Sequence, residues 1–155
     1  MQCTICVPSE LKRLKRTNRN GVLVLARYEG GLILKRDEQN AQWMLPCATL
    51  MRGEDLPETA RRALGEAIGE AIFTVEELCP YYITDDKGEK NGGYAFLADV
   101  TEWPDQAEST SRAFSRLPLG SQTAQSALVF GLHRWAGEFF DERLDLDLLG
   151  EVGAR

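Results

Sequence analysis

The sequence predicts an α+β fold, an α/β/α sandwich in which a mixed β-sheet is flanked by helices. Three observations predict it: an early strand hairpin, a capped amphipathic helix after it, and further strands that lead to a closing helix. The length of 155 residues is that of one ordinary domain, so we expect a single domain over residues 1–155. Within it, residues 1–20 form a basic N-terminal segment and residues 141–155 an acidic C-terminal tail.

The first strands are predicted from short apolar runs that end at turn residues. Residues 22–25 (VLVL) are followed by a turn at residues 29–31 (EGG) and by a second apolar run at residues 32–34 (LIL). This arrangement is typical of a β-hairpin. Residues 43–45 (WML) predict another short strand, which Pro46 ends.

The clearest helix follows Gly53. Asp55 is a favoured N-cap residue, and Glu58 three positions later completes a capping box. Apolar residues recur at intervals of four, which predicts one buried face. These residues are Leu56, Ala60, Leu64 and Ile68. Gly69 is predicted to end the helix.

The remaining elements complete the sandwich. Strands are predicted at residues 79–84 and 94–100, with a polar loop at residues 85–93 between them. A second long helix is predicted at residues 121–140. Neither a repeat nor a linker divides the chain.

The charges are unevenly distributed. A net charge of −6 argues against a protein that wraps nucleic acid over most of its surface. Ser9 is expected to cap a short basic helix that ends near Arg16. Two interpretations of this segment stay open: a solvated surface, or a patch that binds polyphosphate or nucleic acid. Its basic residues are Lys12, Arg13, Lys15, Arg16 and Arg19.

The cysteines and the hydropathy indicate a cytoplasmic protein. Cys3 and Cys6 alone have a ligand-like spacing, whereas a structural zinc site needs four ligands, so we expect reduced thiols. The longest apolar run is far below the roughly 18 residues that cross a bilayer. The N-terminus has no signal-peptide pattern.

The strongest motif runs from residues 43–48 (WMLPCA) through Gly53 and Glu54 to residues 62–69 (RALGEAIG). It resembles the signature of the Nudix hydrolases, which reads G-x5-E-x7-R-E-U-x-E-E-x-G-U, where U is a bulky aliphatic residue. Five signature positions match: Glu54, Arg62, Leu64, Glu66 and Gly69. Four do not match: Ala48, Ala63, Ala67 and Glu70.

The resemblance implies a chemistry and a set of residues for it. Nudix hydrolases split diphosphate linkages in nucleoside diphosphates that are joined to another group, and magnesium or manganese polarises the attacking water. These hard cations prefer carboxylate oxygens. The resemblance implies that Glu66 and Glu54 are the catalytic residues and metal ligands, with Glu108 as a more distant metal ligand. It also implies a nucleotide-like small molecule as ligand and a homodimer.

Two departures from the signature predict an impaired metal site. Positions 63, 66 and 67 are expected to share one helix face, where three glutamates would form an acidic ledge. An alanine methyl at 63 or 67 cannot coordinate a cation. We therefore expect a chain that binds a nucleotide or diphosphate-type ligand with weak or no hydrolysis. The alternative is an active, Mg- or Mn-dependent pyrophosphohydrolase, acting on ADP-ribose or a similar compound with a non-standard set of acids.

Three residues are candidates for ligand contacts: Arg62, Tyr82 and Tyr94. The two tyrosines can stack on a nucleobase, although aromatic residues in strands more often pack the sheet. Arg62 is spaced to bridge Glu58 and Glu66 along the helix. Two roles for Arg62 therefore stay open: a member of a structural charge ladder, or part of a residual ligand site.

Overall fold

A computed structural model of the chain describes residues 2–37, 39 and 42–114. The predicted closing helix at residues 121–140 and the acidic tail at residues 141–155 lie outside the described residues.

Eight strands and two α-helices are present in the described residues, and a single 3-10 turn (Arg16–Asn18) precedes the second strand. Neither of these two helices is long and apolar enough to cross a membrane. In chain order the elements are β1 (Gln2–Ile5), α1 (Pro8–Leu11), β2 (Gly21–Tyr28), β3 (Gly31–Arg36), β4 (Trp43–Met44), β5 (Cys47–Thr49), α2 (Leu56–Ile68), β6 (Ile72–Thr84), β7 (Lys90–Glu102) and β8 (Arg112–Phe114).

The strands form one mixed sheet with the order β1-β6-β7-β2-β3-β4, in which β5 pairs with β2 and β8 with β3. β2 and β7 run parallel, with Gly21 opposite Gly93 and Arg27 opposite Asp99. The other strand pairs are antiparallel, and they include the predicted hairpin of β2 and β3. The mixed sheet with its flanking helix confirms the predicted fold class.

The core lies between α2 and the central strands. Ala60, Leu64 and Ile68 are buried on the face of α2 that the sequence predicts. They belong to one apolar cluster with Val22 and Phe96 of the central parallel pair. Burial of this face supplies most of the stability of the helix, because a helix of 13 residues is marginal in isolation.

The predicted basic helix is shorter than expected. Helix α1 begins at Pro8, with Val7 as its N-cap, and it ends at Leu11 instead of continuing to Arg16. The stretch that follows offers only Leu14 as an apolar side chain, so a continued helix would have no face to bury. The chain turns at residues 12–14 and reaches β2 through the 3-10 turn.

Strands β6 and β7 are longer than predicted. β6 begins at Ile72 and β7 at Lys90, so a tight turn replaces most of the loop predicted at residues 85–93. The Asp85 carboxylate closes this turn by accepting the backbone N–H groups of Lys87 and Glu89 at 2.9 and 2.8 Å. The two strands form one long antiparallel ribbon.

Three cysteines in the described residues form no disulfide bond, namely Cys6, Cys47 and Cys79. Cys6 and Cys79 are buried. Burial raises the pKa of the Cys6 thiol, and the charge of Glu10 adds to this effect. The buried thiols therefore behave as small apolar side chains.

Candidate functional site

Helix α2 has well-defined ends. The Asp55 carboxylate accepts the backbone N–H of Glu58 at 2.8 Å, as an N-cap residue should. Gly69 ends the helix with a φ of +75°, a conformation that side chains disfavour. Its N–H donates to the carbonyl oxygen of Gly65 at 2.8 Å. Local hydrogen bonds therefore define both ends of the helix that carries the signature motif.

Glu54 closes the loop before α2 onto the helix. Its Oε1 atom accepts the backbone N–H of Met51 at 3.0 Å and the hydroxyl of Thr59 at 3.1 Å. The Arg62 guanidinium donates to both carboxylate oxygens, from Nε to Oε2 at 2.8 Å and from Nη2 to Oε1 at 3.0 Å. This two-bond fork is the strongest geometry for an arginine–carboxylate pair. Glu54 is thus engaged in four hydrogen bonds within the protein.

Arg62 ties three parts of the chain together. Besides Glu54, its Nη2 atom donates to the carbonyl oxygen of Thr49 in β5 at 2.8 Å. Its Nη1 atom contacts Glu66 Oε1 at 3.4 Å, a weak ion pair one turn along the helix. The predicted charge ladder is therefore correct for Glu66, but the main partner of Arg62 is Glu54 and not Glu58.

The ion pair between Glu54 and Arg62 shifts the pKa values of both groups. Hydrogen bonds from Arg62 are the main cause that lowers the pKa of Glu54 from 4.5 to about 2. The bonds from Met51 and Thr59 act in the same direction, and partial burial opposes them. The pKa of Arg62 is raised, chiefly by the hydrogen bonds to Glu54. Both groups stay charged over the physiological range.

This shift predicts a pH-dependent stability. A carboxyl group whose pKa is lower in the folded protein stabilises it fully above its unfolded pKa, and the effect is lost as the pH falls through the folded value. Glu54→Gln is therefore expected to lower the melting temperature by several degrees at pH 6, and the difference from the wild type should shrink between pH 4.5 and about 2. Thermal unfolding at several pH values, followed by circular dichroism, measures it. Glu58→Gln on the exposed face of α2 is the control, and a difference that does not vary with pH would contradict the prediction.

The two alanines of the motif are more buried than Glu66. Ala63 is 1% exposed and belongs to the apolar cluster of the core. Ala67 is half-buried and packs against the same cluster. The side chain of Glu66 is 64% exposed. The predicted ledge at positions 63, 66 and 67 thus presents one carboxylate and two methyl groups.

Glu66 borders a shallow hollow that is also lined by Glu108, the more distant of the predicted metal ligands. This acidic hollow has a volume of about 350 Å³ and is lined by Glu66, Ala67, Asp105 and Glu108. The structure therefore brings Glu66 and Glu108 to one place, although 41 residues separate them in the sequence. Asp105 is already engaged, because its Oδ2 atom accepts the backbone N–H of Glu70 at 3.0 Å.

The described residues near α2 bring few ligands for a divalent cation together. Within the described part of the chain, no three side chains of histidine, cysteine, aspartate or glutamate are grouped so that they could hold a metal ion. Glu54 faces Arg62, whose positive charge would repel a cation beside it. Magnesium and manganese need several oxygen ligands, and the positions that would supply two of them are alanines.

The two candidate tyrosines lie in different surroundings. Tyr82 on β6 carries Lys90 over its ring, with Nζ at 5.0 Å from the ring centre. Tyr94 on β7 is half-buried and packs against the core cluster. It also lines a second hollow, of about 650 Å³, together with Arg16, Arg19 and Arg52. We call this second cavity the arginine hollow.

Sequence reasoning did not predict the part that Arg52 plays in this cavity. The basic segment before β2 is visible in the sequence, but Arg52 lies 33 residues after Arg19. A signal for their proximity would have been the pairing of β5 with β2, which places the end of one strand beside the start of the other.

Comparisons with known proteins identify the fold. No protein-family model matches the chain, and no curated protein does. Among solved structures, a mutant of the pyrophosphohydrolase BsRppH from Bacillus subtilis is similar over 89% of this chain and 92% of its own, with a TM-score of 0.64 and 19% identity. A UDP-X diphosphatase is similar over 97% of this chain and 74% of its own, with a TM-score of 0.54 and 18% identity. Both are Nudix hydrolases, and the chain therefore has the Nudix fold.

Proposed function

We propose that this chain binds a nucleotide or another diphosphate-type ligand and hydrolyses it weakly or not at all. The similar structures are named a pyrophosphohydrolase and a UDP-X diphosphatase, which favours a ligand with a diphosphate linkage. The fold alone does not carry the activity, because one fold hosts several functions. The metal site, and not the fold, separates binding from hydrolysis here.

One observation carries the proposal: the signature helix presents methyl groups at positions 63 and 67. Ala63 is buried at 1% exposure, so no water-bridged ligand can replace the missing carboxylate there. Each absent carboxylate removes a Coulomb attraction to the cation of several kcal/mol at an effective dielectric constant near 20. Desolvation offsets part of this loss, and the remainder still weakens metal binding by orders of magnitude.

The matched residues of the motif take structural roles in this proposal. Glu54 is assigned to holding the loop at Met51 against α2, because its four hydrogen bonds are all made within the protein. Arg62 is assigned to joining β5 to α2 rather than to holding a ligand. Glu66 is the residue that would carry any remaining metal-dependent turnover.

A specific observation also favours a second candidate, an active hydrolase with a non-standard set of acids. Glu66 and Glu108 line the same acidic hollow. In this candidate Glu66 and Glu108 hold a magnesium or manganese ion together. Glu108 then has the role of distant metal ligand that the family resemblance implies. The two candidates differ in one measurable property, the dependence of binding and turnover on a divalent cation.

The test measures binding and cleavage separately. ADP-ribose and ADP are titrated into the protein in EDTA and in manganese by calorimetry, and product formation is followed by phosphorus NMR over a day. We expect binding within about twofold in the two buffers and no product. Manganese-dependent release of AMP that Glu66→Gln abolishes and Glu58→Gln leaves intact would contradict the proposal and establish the second candidate.

The predicted homodimer and the predicted cytoplasmic location stay predictions. Light scattering of the purified chain tests the first, and fractionation of cells that express it tests the second.

A further inference from the structure

Three arginines from two distant parts of the chain line one cavity. Arg16 and Arg19 precede β2, and Arg52 lies in the loop between β5 and α2. Their cavity, the arginine hollow, has a volume of about 650 Å³. Pockets of about 300–1,000 Å³ are the usual size for small-molecule ligands. The arginine hollow is separate from the acidic hollow at Glu66, because no described residue lines both.

The sheet topology forces these residues together. β2 starts at Gly21, opposite Thr49 at the end of the antiparallel β5 and opposite Gly93 in the parallel β7. The segment before β2, the loop after β5 and Tyr94 must therefore meet at one end of the sheet. A backbone hydrogen bond from Leu50 N–H to the Asn20 carbonyl oxygen, 2.8 Å long, joins the two loops.

The approach of the strands at this point is unusually close. A side chain at Gly93 would collide with the carbonyl oxygen of Gly21, so glycine is required there. The backbones of β2 and β7 thus approach closely next to Asn20 and Tyr94, which line the cavity. The three arginines belong to the segments before β2 and after β5.

The charges of the cavity are of one sign. The residues of its lining that the structure describes include three guanidinium groups and no carboxylate. In the described part of the chain, no ion pair with an acidic side chain neutralises Arg16, Arg19 or Arg52. Arg19 is oriented by a hydrogen bond from Nη1 to the Lys12 carbonyl oxygen at 2.7 Å, which leaves its charge uncompensated. This concentration of positive charge stands against a net charge of −6 for the whole chain.

The rest of the described lining is mostly apolar. It consists of Leu50, Met51, Leu56 and Tyr94, together with the polar Asn20. Met51 is 57% exposed, an unusual exposure for a large apolar side chain. A cavity lined by both guanidinium groups and apolar side chains fits a ligand that carries phosphates at one end and a flat, weakly polar group at the other.

We propose that the arginine hollow binds the phosphates of a nucleoside diphosphate or triphosphate directly, without a metal ion, with the base packed against the side chains of Leu56 and Tyr94. Guanidinium groups suit this task because their planar donors bind phosphate oxygens in pairs. The inference rests on the proposed function and names the ligand class and the residues for it. A small nucleotide is favoured over a nucleic acid because the basic surface is confined to one cavity of an acidic chain.

The position of the cavity accounts for binding without cleavage. Leu56 is the first residue of α2 and borders the arginine hollow, whereas Glu66 lies ten residues further along and borders the acidic hollow. At the rise of an α-helix this separation is about 15 Å. Phosphates held by the arginines are therefore remote from Glu66, the exposed acid of the motif.

The test uses ADP, inorganic pyrophosphate and adenosine as probes, titrated into the full chain in EDTA. We expect ADP and pyrophosphate to compete for one site and adenosine to bind more weakly. Arg16→Ala and Arg52→Ala should each weaken ADP binding roughly tenfold, with a larger loss for the double variant. Arg13→Ala and Arg61→Ala are matched controls, because both are exposed arginines outside the cavity, and they should change the affinity less than twofold.

Measurements of stability and salt dependence show whether a variant loses ADP affinity because it unfolds or because it lacks the arginine contact. Arg16 and Arg52 are exposed, so their removal should leave the melting temperature unchanged. Arg52→Lys keeps the charge without the paired donors and should give an intermediate affinity. ADP binding should weaken as the salt concentration rises.

The outcomes separate this inference from the proposed function. ADP binding that the double variant leaves unchanged overturns the inference, while metal-independent nucleotide binding elsewhere still stands. ADP that is bound by the arginines and then cleaved upholds the inference and overturns the proposed function. Failure of both ADP and pyrophosphate to bind the wild type, or displacement of ADP by a tighter single-stranded RNA, overturns the inference.

Discussion

Ala63→Glu is expected to lower the free energy of unfolding by about 3 kcal/mol or more at neutral pH, because it places an unpaired carboxylate in an apolar core. Ala63 is 1% exposed and shares its cluster with Val22, Leu64 and Phe96. The larger side chain also exceeds the space that a methyl group occupies, which adds the cost of overpacking. Urea denaturation at pH 7 measures the change.

Two further variants separate the effect of the added charge from the effects of side-chain volume and of position on the helix. Ala63→Met introduces a comparable volume without charge, and it should destabilise the protein by less than Ala63→Glu. Ala67→Glu places the same carboxylate one turn later, at a half-buried position that borders the open acidic hollow, and should cost less than about 1 kcal/mol. Equal losses at positions 63 and 67 would show that Ala63 is not part of a closed core and would contradict this description of the helix.

Helix α2 was predictable because its signals are local. Asp55 and Gly69 mark its ends within a few residues of the helix, and the structure confirms both. Its buried face repeats every four residues, so Ala60, Leu64 and Ile68 were identified as core without knowledge of the sheet.

Strand pairing was predictable only where a short turn links the strands. The hairpin of β2 and β3 meets that condition, whereas β1, β5 and β8 are short strands that pair with distant partners. The first half of β6 is a different case. Apolar Phe73 and Val75 alternate there with exposed Thr74 and Glu76, so the sequence carries the period-2 pattern of a strand over this half too.

The candidate site was predictable in its residues and not in its contacts. The motif identified Glu54, Arg62 and Glu66, but helical spacing suggested Glu58 as the partner of Arg62. The actual partner, Glu54, precedes the helix, and only the return of the loop at Met51 brings it there. The role of the basic segment before β2 was similarly undecided from the sequence, since the third arginine of the cavity, Arg52, is brought there by the pairing of β5 with β2.

The second large effect is expected at Ala67. Ala67→Glu adds a carboxylate between Glu66 and the acids of the acidic hollow, where Asp105 and Glu108 already lie. Each added carboxylate attracts a divalent cation strongly at short range, and partial exposure keeps its desolvation cost low. We expect the affinity for manganese to rise at least tenfold, roughly the effect of 1.4 kcal/mol. Paramagnetic relaxation of water protons by bound manganese measures it directly.

The gain must depend on the neighbouring acid if the two carboxylates share one ion. Glu66→Gln in the background of Ala67→Glu should therefore remove most of the added affinity, whereas Glu58→Gln on another face of the helix should not. Ala67→Gln supplies an oxygen without the charge and should give a much smaller gain. A gain that survives Glu66→Gln would mean that the new carboxylate binds manganese alone, and that Glu66 does not belong to a latent metal site. Dependence on Glu66 would instead mean that a single methyl group at position 67 separates this chain from cation binding on its signature helix.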